Sequence, residues 1–296
     1  MKTKQKITYC LWFNKEAEEA ADFYAGVFKN VKITDKSINT TDTPSGKTGT
    51  VLTVSFTIEG YHFLGLNGGP AFKPNPSISF FVHCKTASEV TRLWKKLSDG
   101  GNIRMPLDKY FFSKKYGWIE DKYGISWQLI LAEEEIKQMI VPSLIFVNDM
   151  YGKAREVLNF YTSVFKDSRI GNISPYGKGM EPEKENSIAY AEFQLEHQWF
   201  SLMESAREHH FQFNEGISFV VNCDTQKEID FYWKKLSAVP QAEMCGWLKD
   251  KYGVSWQIVP ADLSKLLQNK DTQKSKRVME ALMKMKKLDI AGLKNA

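Results

Sequence analysis

Alternation along the segment ending at Cys84 puts Ser79 and Phe81 on one face of an extended stretch. The same rule around Trp127 puts Ser126 and Gln128 together, with the indole turned away. Ser218, Val220, Ser255 and Gln257 occupy matching places later in the chain. Hydroxyl and carboxamide groups hydrogen-bond without ionising, so these sets suit a small, partly apolar ligand held by hydrogen bonds rather than proton transfer. The competing reading is that the groups satisfy one another and side chains fill the space between them. Titratable candidates are fewer. Glu204 with His209 or His210 makes an acid/base pair in the second half of the chain. Adjacent histidines on an extended segment point opposite ways, so His209-His210 is a poor chelating pair, and an exposed loop role is the alternative.

These residues sit in a chain that is written twice. Phe23-Tyr24 and Val27-Phe28-Lys29 return as Phe160-Tyr161 and Val164-Phe165-Lys166 at an offset of 137. Phe56 and Phe63 keep that offset with Phe193 and Phe200. Thr86, Glu89, Trp94 and Leu97 recur at 139, and Asp121-Lys122-Tyr123-Gly124 with Ser126-Trp127-Gln128 recurs at 129. A duplication at this length describes two domains, expected over 1–133 and 140–262, followed by a basic helical tail over 263–296.

The elements that must position the candidate residues follow from periodicity. Each copy opens with a short apolar strand, Ile7 to Phe13 or Val141 to Val147. A helix follows whose stripe is Ala20, Phe23, Tyr24, Val27 and Phe28, or Val157, Phe160, Tyr161, Val164 and Phe165. Leu52, Val54, Phe56 and Ile58 alternate with polar residues, as do Ala189, Ala191, Phe193 and Leu195, predicting half-buried strands with a hairpin partner after each. Thr86/Glu89 and Thr225/Glu228 read as capping boxes that open a second helix. Two strands through Trp118 and Trp127, or Trp247 and Trp256, close each copy, which is therefore two βαβββ modules. Residues 99–116, rich in aromatic and basic side chains, exceed their counterpart at 238–245 and read as a flap over a pocket or as an extended hairpin packed on the other copy. In the tail, Val278, Leu282, Met285 and Leu288 form a helical stripe opposite lysines. A docked brace is expected, with a partner-binding or anionic-surface helix as the alternative.

Composition excludes several classes. With 43% apolar and 13% aromatic residues both copies can bury a core. No apolar run spans a bilayer, and Met1 to Lys6 lacks the apolar stretch of a signal peptide, so no membrane partner and a cytoplasmic location are expected. The net charge of +5 resides in the tail from Lys270, where eight basic residues meet three acidic ones. The neutral body carries no basic stripe with interleaved aromatics, and no nucleic-acid partner is expected. Cys10, Cys84, Cys223 and Cys245 form no Cys-x-x-Cys pair and read as reduced thiols.

Leu11-Trp12-Phe13, Glu18-Glu19-Ala20, Leu66-Asn67-Gly68-Gly69-Pro70, Ser77-Ile78-Ser79-Phe80 and Cys245-Gly246-Trp247-Leu248, with the Asp250 to Gln257 string, resemble the PhnB-like family. Its members are often labelled 3-demethylubiquinone-9 3-methyltransferase-like, within the vicinal oxygen chelate superfamily. The resemblance covers nearly the whole chain. It implies an α+β glyoxalase/bleomycin-resistance architecture, with tandem domains of paired βαβββ modules forming half-open barrels. It also implies that the copies pair within one chain, with a homodimer as a further option.

In the superfamily's metalloenzymes, inward positions on the first, fourth, fifth and eighth strands ligate a divalent ion. By matching strands these fall near Tyr9, Gly65, Ser79 and Gln128, and near Pro142, Leu202, Ser218 and Gln257. A catalytic divalent ion needs about three imidazole, thiolate or carboxylate donors. Each set offers one neutral amide, and a slip of two residues adds only Asn67 or Glu204, so neither a metal nor another cofactor is expected. The methyltransferase label gains no support, because Gly68-Gly69 and Gly100-Gly101 do not lie between a parallel strand and a helix. The leading expectation is metal-free small-molecule binding through Tyr9, Ser79, Phe81, Ser126, Gln128, Ser218, Ser255 and Gln257. The alternatives are a lyase, isomerase or dioxygenase of the superfamily type, and a partner-binding protein acting through its C-terminal helix.

Overall fold

The computed structural model describes residues 5–43 and 45–296. The expectation for the start of the chain falls partly on residues 1–4, outside that range. In the first repeat the elements are β1 Ile7–Phe13, α1 Ala17–Val27, β2 Val31–Ile38, β3 Val51–Ile58, β4 Tyr61–Asn67, β5 Ile78–Cys84, α2 Ala87–Leu97, β6 Asn102–Tyr110, β7 Ser113–Glu120 and β8 Ser126–Leu131. In the second they are β9 Ile140–Phe146, α3 Ala154–Val164, β10 Arg169–Pro175, β11 Ile188–Leu195, β12 Gln198–Glu204, β13 Ile217–Cys223, α4 Gln226–Leu236, β14 Trp247–Lys249 and β15 Ser255–Pro260. The tail is three helices, α5 Leu263–Leu267, α6 Thr272–Lys284 and α7 Ile290–Lys294.

Local chemistry accounts for these boundaries. The β3–β4 hairpin turns through Glu59 and Gly60, both at positive φ (50° and 88°), a two-residue turn whose twist matches the flanking strands. Glu196 and His197 make the same turn at 49° and 65° without a glycine. The capping boxes differ from expectation in one detail. Thr86 Oγ1 accepts from the Glu89 N–H at 3.2 Å, but the Glu89 carboxylate reaches the Lys85 N–H at 3.1 Å, one residue before the cap. Glu228 does the same with Asp224 N–H at 2.7 Å. The helix stripes are also rotated slightly. Ala17 and Ala21, and Ala154 and Leu158, are fully buried, while Phe23 and Phe160 lie at the edge of the contact.

The chain forms two compact units, Met1–Lys73 with Asn214–Ala296, and Pro74–Phe213. The first holds a seven-stranded sheet ordered β14-β15-β13-β1-β4-β3-β2, the second an eight-stranded sheet ordered β10-β11-β12-β9-β5-β8-β7-β6. Each sheet therefore takes one module from each repeat, joined by an antiparallel seam, β1 with β13 or β5 with β9. Three modules are the expected βαβββ, but β13–α4–β14–β15 has only three strands, because the short 238–245 segment leaves no counterpart of β6. The repeats at 1–133 and 140–262 are units of sequence, and each contributes half to each compact unit. The cause is the edge of each module. β1, β5, β9 and β13 carry almost continuously buried side chains, so their free N–H and C=O groups need a strand partner.

One face of each sheet packs on helices. In the first unit Tyr24 of α1 stacks on Phe56, which stacks on Phe63, and Tyr9 stands edge-on to Phe63 and Phe219. The repeated Asp-Lys-Tyr-Gly-x-Ser-Trp string has a structural job. Buried Asp121 accepts the Tyr123 and Ile125 N–H groups on Oδ1 and the Trp127 indole N–H on Oδ2 at 2.9 Å. Asp250 does the same for Tyr252, Val254 and Trp256. Each aspartate thereby fixes both the tight turn before the last strand and the largest core side chain behind it. Asp121→Ala leaves three buried donors without an acceptor, and urea denaturation is expected to show a loss on the order of 3 kcal/mol.

Candidate functional site

The other face of the second unit's sheet is open. It forms a cleft of ≈ 1470 Å³ walled by Phe81, Tyr116, Trp118, Tyr190, Trp199 and Met203. At its floor Gln128, 1% exposed, donates from Nε2 to Ser79 Oγ at 2.7 Å and accepts the Tyr116 hydroxyl on Oε1. Trp118 Nε1 donates to Ser126 Oγ at 2.6 Å. Register lines up four serines across four strands: Ser126 opposite Ser79, Ser79 opposite Ser143, Ser143 opposite Ser201. The Ser143 hydroxyl is fully buried without a hydrogen-bond partner, and Ser201 lies beside the Tyr190 hydroxyl outside hydrogen-bond geometry. Burial pushes the Tyr116 and Tyr190 phenols well above their ordinary range, so both stay neutral hydrogen-bonding groups.

The residues 99–116 lie at the edge of the cleft. They form the β6–β7 hairpin, and Met105, Tyr110 and Phe112 from it border the cleft. A salt bridge of 3.0 Å from Lys114 to Glu133 ties the hairpin to the segment after β8.

The first unit presents the same face in a different state. Its row reads Ser255, Ser218, Cys10 and Leu64 where the second unit has four serines. Gln257 donates to Ser218 Oγ at 3.0 Å, repeating the Gln128–Ser79 bond. Over this face lie Val278, Met279, Leu282, Leu288 and Leu293 of the tail, packed on Cys10, Val220 and Val259. Burial raises the Cys10 thiol to about 11, against smaller opposing hydrogen bonds from Gln257 and Ser218, so it is protonated. The tail is held by backbone bonds from Cys245 N to Met285 O and from Gly246 N to Lys286 O, each 2.8 Å. Its apolar residues are thus buried within the unit, as the brace reading expected, but α6 ends at Lys284, so Met285 and Leu288 lie in the turn before α7 rather than on one continuous helical stripe.

The sequence-derived site residues separate accordingly. Ser79, Phe81, Ser126 and Gln128 come together in the second unit beneath or beside the cleft. Ser218, Ser255 and Gln257 come together in the first unit beneath the tail. Tyr9 joins neither set, because its ring is enclosed by Phe63 and Phe219 on the helix-facing side of the sheet. Glu204 is a cap. Its Oε1 accepts the first helical N–H of α3, Ala154, at 2.9 Å, and its Oε2 accepts Ile188 N–H at 2.7 Å. Those bonds occupy the carboxylate on backbone, away from an acid/base partnership with His209. His209 borders the cleft with its Nε2 buried and unpartnered, and His210 is exposed. Sequence reasoning missed Tyr116, Tyr190 and Trp199. The alternation Tyr116/Trp118 before Trp127 was the available signal for the first.

The metal positions of the resemblance fail a chemical test. A side chain at Gly65 would point at Ala17 and Phe13, Leu202 is fully buried, and Ser79 and Gln128 are neutral and already bonded to each other. Among the described residues no three His, Cys, Asp or Glu side chains gather as a ligand set. A nucleotide-type cofactor turn is also missing at Gly68-Gly69. A side chain at Gly68 would strike the Trp12 indole at 2.3 Å, and Trp12 Nε1 donates to the Gly69 carbonyl at 2.8 Å, so these glycines accommodate an indole.

With the geometry in place, comparison with known proteins gives the family. The 3-demethylubiquinone-9 3-methyltransferase family matches residues 5–130 and again 138–259. The chain belongs to this family. A PhnB protein of Bacillus cereus is 43% identical over 43% of this chain and 100% of its own, with a TM-score of 0.41. A protein from Staphylococcus aureus is 33% identical, covering 44% of this chain and 97% of its own, with a TM-score of 0.19. Glyoxalase I of Zea mays, 12% identical over 88% of this chain and 92% of its own, has a TM-score of 0.55 and shows the shared tandem glyoxalase fold. None of the curated proteins matches. The family's model thus matches twice in tandem along one chain, and no helix among the described residues is long and apolar enough to cross a membrane.

Two outcomes follow. Deleting the residues after Lys270 uncovers the first unit's apolar face and should lower the melting temperature; Leu288→Ala alone should cost about 2–5 kcal/mol in urea denaturation. Burial also lowers the pKa of His83, the more enclosed, and of His209. The unfolded chain then binds protons that the folded chain refuses. Stability is complete above the ordinary histidine pKa of about 6.5 and declines as pH falls through it. The urea midpoint should be lower at about pH 5.5 than at about pH 7.5, and His83→Asn should narrow that difference.

Proposed function

We propose that this protein binds a small, partly apolar molecule, non-covalently, in the cleft of its second unit. One observation carries the reading: of two faces built from the same repeated modules, one is sealed by the tail and the other is left open with aromatic walls over a pre-bonded Tyr116–Gln128–Ser79 floor. Such walls bury the body of a ligand, while Gln128 and the Tyr116 hydroxyl at the floor place hydrogen-bonding groups at fixed positions. Among the described residues there is no metal ligand set and no activated nucleophile, so sequestration or transport of a molecule fits them better than turnover, and the methyltransferase label finds no supporting residues. Four free cysteines fit a reducing compartment, and we assign the protein to the cytoplasm.

The neutral fluorescent probe N-phenyl-1-naphthylamine tests this directly. One equivalent should bind per chain with enhanced emission, and Met203→Trp, which narrows the cleft beside its aromatic wall, should weaken the signal without lowering the melting temperature. Gln128→Ala frees the Tyr116 ring from its hydrogen bond and should weaken binding about fivefold, the worth of one ordering hydrogen bond. Gln257→Ala, beneath the tail, should leave binding unchanged. Absence of saturable binding, or equal effects of the two glutamine variants, contradicts the proposal.

A further inference from the structure

The charge of the cleft differs from that of the molecule. Its lining carries seven glutamates against three lysines and one arginine, in a chain whose net charge is +5. The cations are largely spent or at the rim. Lys114 pairs with Glu133 and Lys137 with Glu192, while Lys109 and Arg207 are exposed. The buried charges are acids. Glu183, 8% exposed, accepts the Ser205 hydroxyl at 3.2 Å and the Ala206 N–H at 2.8 Å, and Glu204, 2% exposed, accepts only two backbone N–H groups. Among the described residues neither has a cationic side chain in salt-bridge contact. A carboxylate offers about four lone-pair sites, so two neutral donors leave each one short of its capacity.

The repeat supplies an internal control on whether the fold needs these charges. At the constant offset of 137, Glu183, Glu192 and Glu204 correspond to Gly46, Ser55 and Asn67. Asn67 does the same capping work as Glu204 without a charge. Its Oδ1 accepts the Ala17 N–H at 2.9 Å, and its Nδ2 donates to Val51 O at 3.0 Å. A neutral amide therefore suffices for the cap, and the anionic version occurs in the unit with the open cleft. A buried charge that the architecture can do without, beside a ligand-sized space, is costly unless something of opposite sign shares it. The walls favour the same sign. Tyr190, Phe81 and Tyr116 present aromatic faces and edges, and Trp199 already draws the protein's own cations, Lys137 at 4.8 Å and Arg169 at 5.2 Å from its ring centre.

We infer that the ligand of the cleft is an organic cation, an ammonium or amidinium group on an apolar or aromatic body, with the charged end toward Glu183 and Glu204 and the body against the aromatic walls. This rests on the small-molecule reading above. It disfavours carboxylates and phosphates of similar size, which would meet the buried Glu183 and Glu204.

The test is displacement of N-phenyl-1-naphthylamine by three matched compounds: 3-phenylpropylammonium, 3-phenylpropanol and 3-phenylpropionate. The ammonium should displace the probe at a concentration about tenfold lower than the carboxylate, with the alcohol between them, and added sodium chloride should weaken the ammonium alone. Glu183→Gln should reduce the advantage of the ammonium over the alcohol. Glu134→Gln with Glu135→Gln, at exposed positions outside the fold's hydrogen-bonded loops, should reduce it to a smaller extent. A probe that binds but is displaced equally by all three compounds, or preferentially by the carboxylate, overturns the cation assignment and leaves small-molecule binding standing. Selectivity unchanged in both glutamate variants overturns it as well. A probe that does not bind at all removes the underlying reading, and this inference with it.

Discussion

The antiparallel seam between repeats is the constraint on which the rest of the structure depends. A lone βαβββ module ends in a strand whose side chains are buried on both faces and whose backbone would otherwise be unpaired. β5 meets β9, and β1 meets β13, and each pairing satisfies that backbone while extending a four-stranded module into a sheet wide enough to bury a face. Short connections from β4 to β5 and from β12 to β13 carry the chain between the units. Asn75 and Asn214 pin these crossings: each accepts the backbone N–H two residues on and donates to the carbonyl of the neighbouring crossing, Gln212 O or Lys73 O. The seam also centres the candidate residues, since Ser79 and Ser143 face each other across it.

Once two such faces exist in one chain they are free to diverge, and the divergence is visible at single positions. Ser143 and Ser201 in the second unit correspond to Cys10 and Leu64 in the first, which turns a polar strip into an apolar one. That strip is covered by leucine, valine and methionine from α6 and α7, and sealing it removes exposed apolar surface that would otherwise favour aggregation. The second face keeps its polar strip, its aromatic rim and its acids. A duplicated scaffold thus serves two ends, with one face given to stability and one left for a ligand.

Much of this was legible in the residues. The duplication, three of the four βαβββ modules, the helix stripes and the gathering of Ser79, Ser126 and Gln128 on one face follow from periodicity and from a repeat that keeps its register. The Gln128–Ser79 and Gln257–Ser218 bonds realise the competing reading that these groups satisfy one another. Three features were not. Tyr9 alternates correctly for either face, and only its packing between Phe63 and Phe219 assigns it to the core. Glu204 looks like a catalytic acid in sequence because a carboxylate that caps a helix fifty residues away leaves no local signature. The mixing of repeats into each sheet is invisible for a related reason: strand pairing across 60 residues or more is a tertiary choice, and a module's apolar edge states that it needs a partner without saying which.

The account stands or falls on where a small molecule sits. A crystal structure of the full chain grown with N-phenyl-1-naphthylamine should show one probe per chain against Phe81, Tyr116 and Tyr190, above Gln128, with α6 and α7 still in place over Cys10 and Val220. Density for the probe beneath the tail, or a cleft closed by its own side chains with no probe in it at saturating concentration, would contradict the assignment.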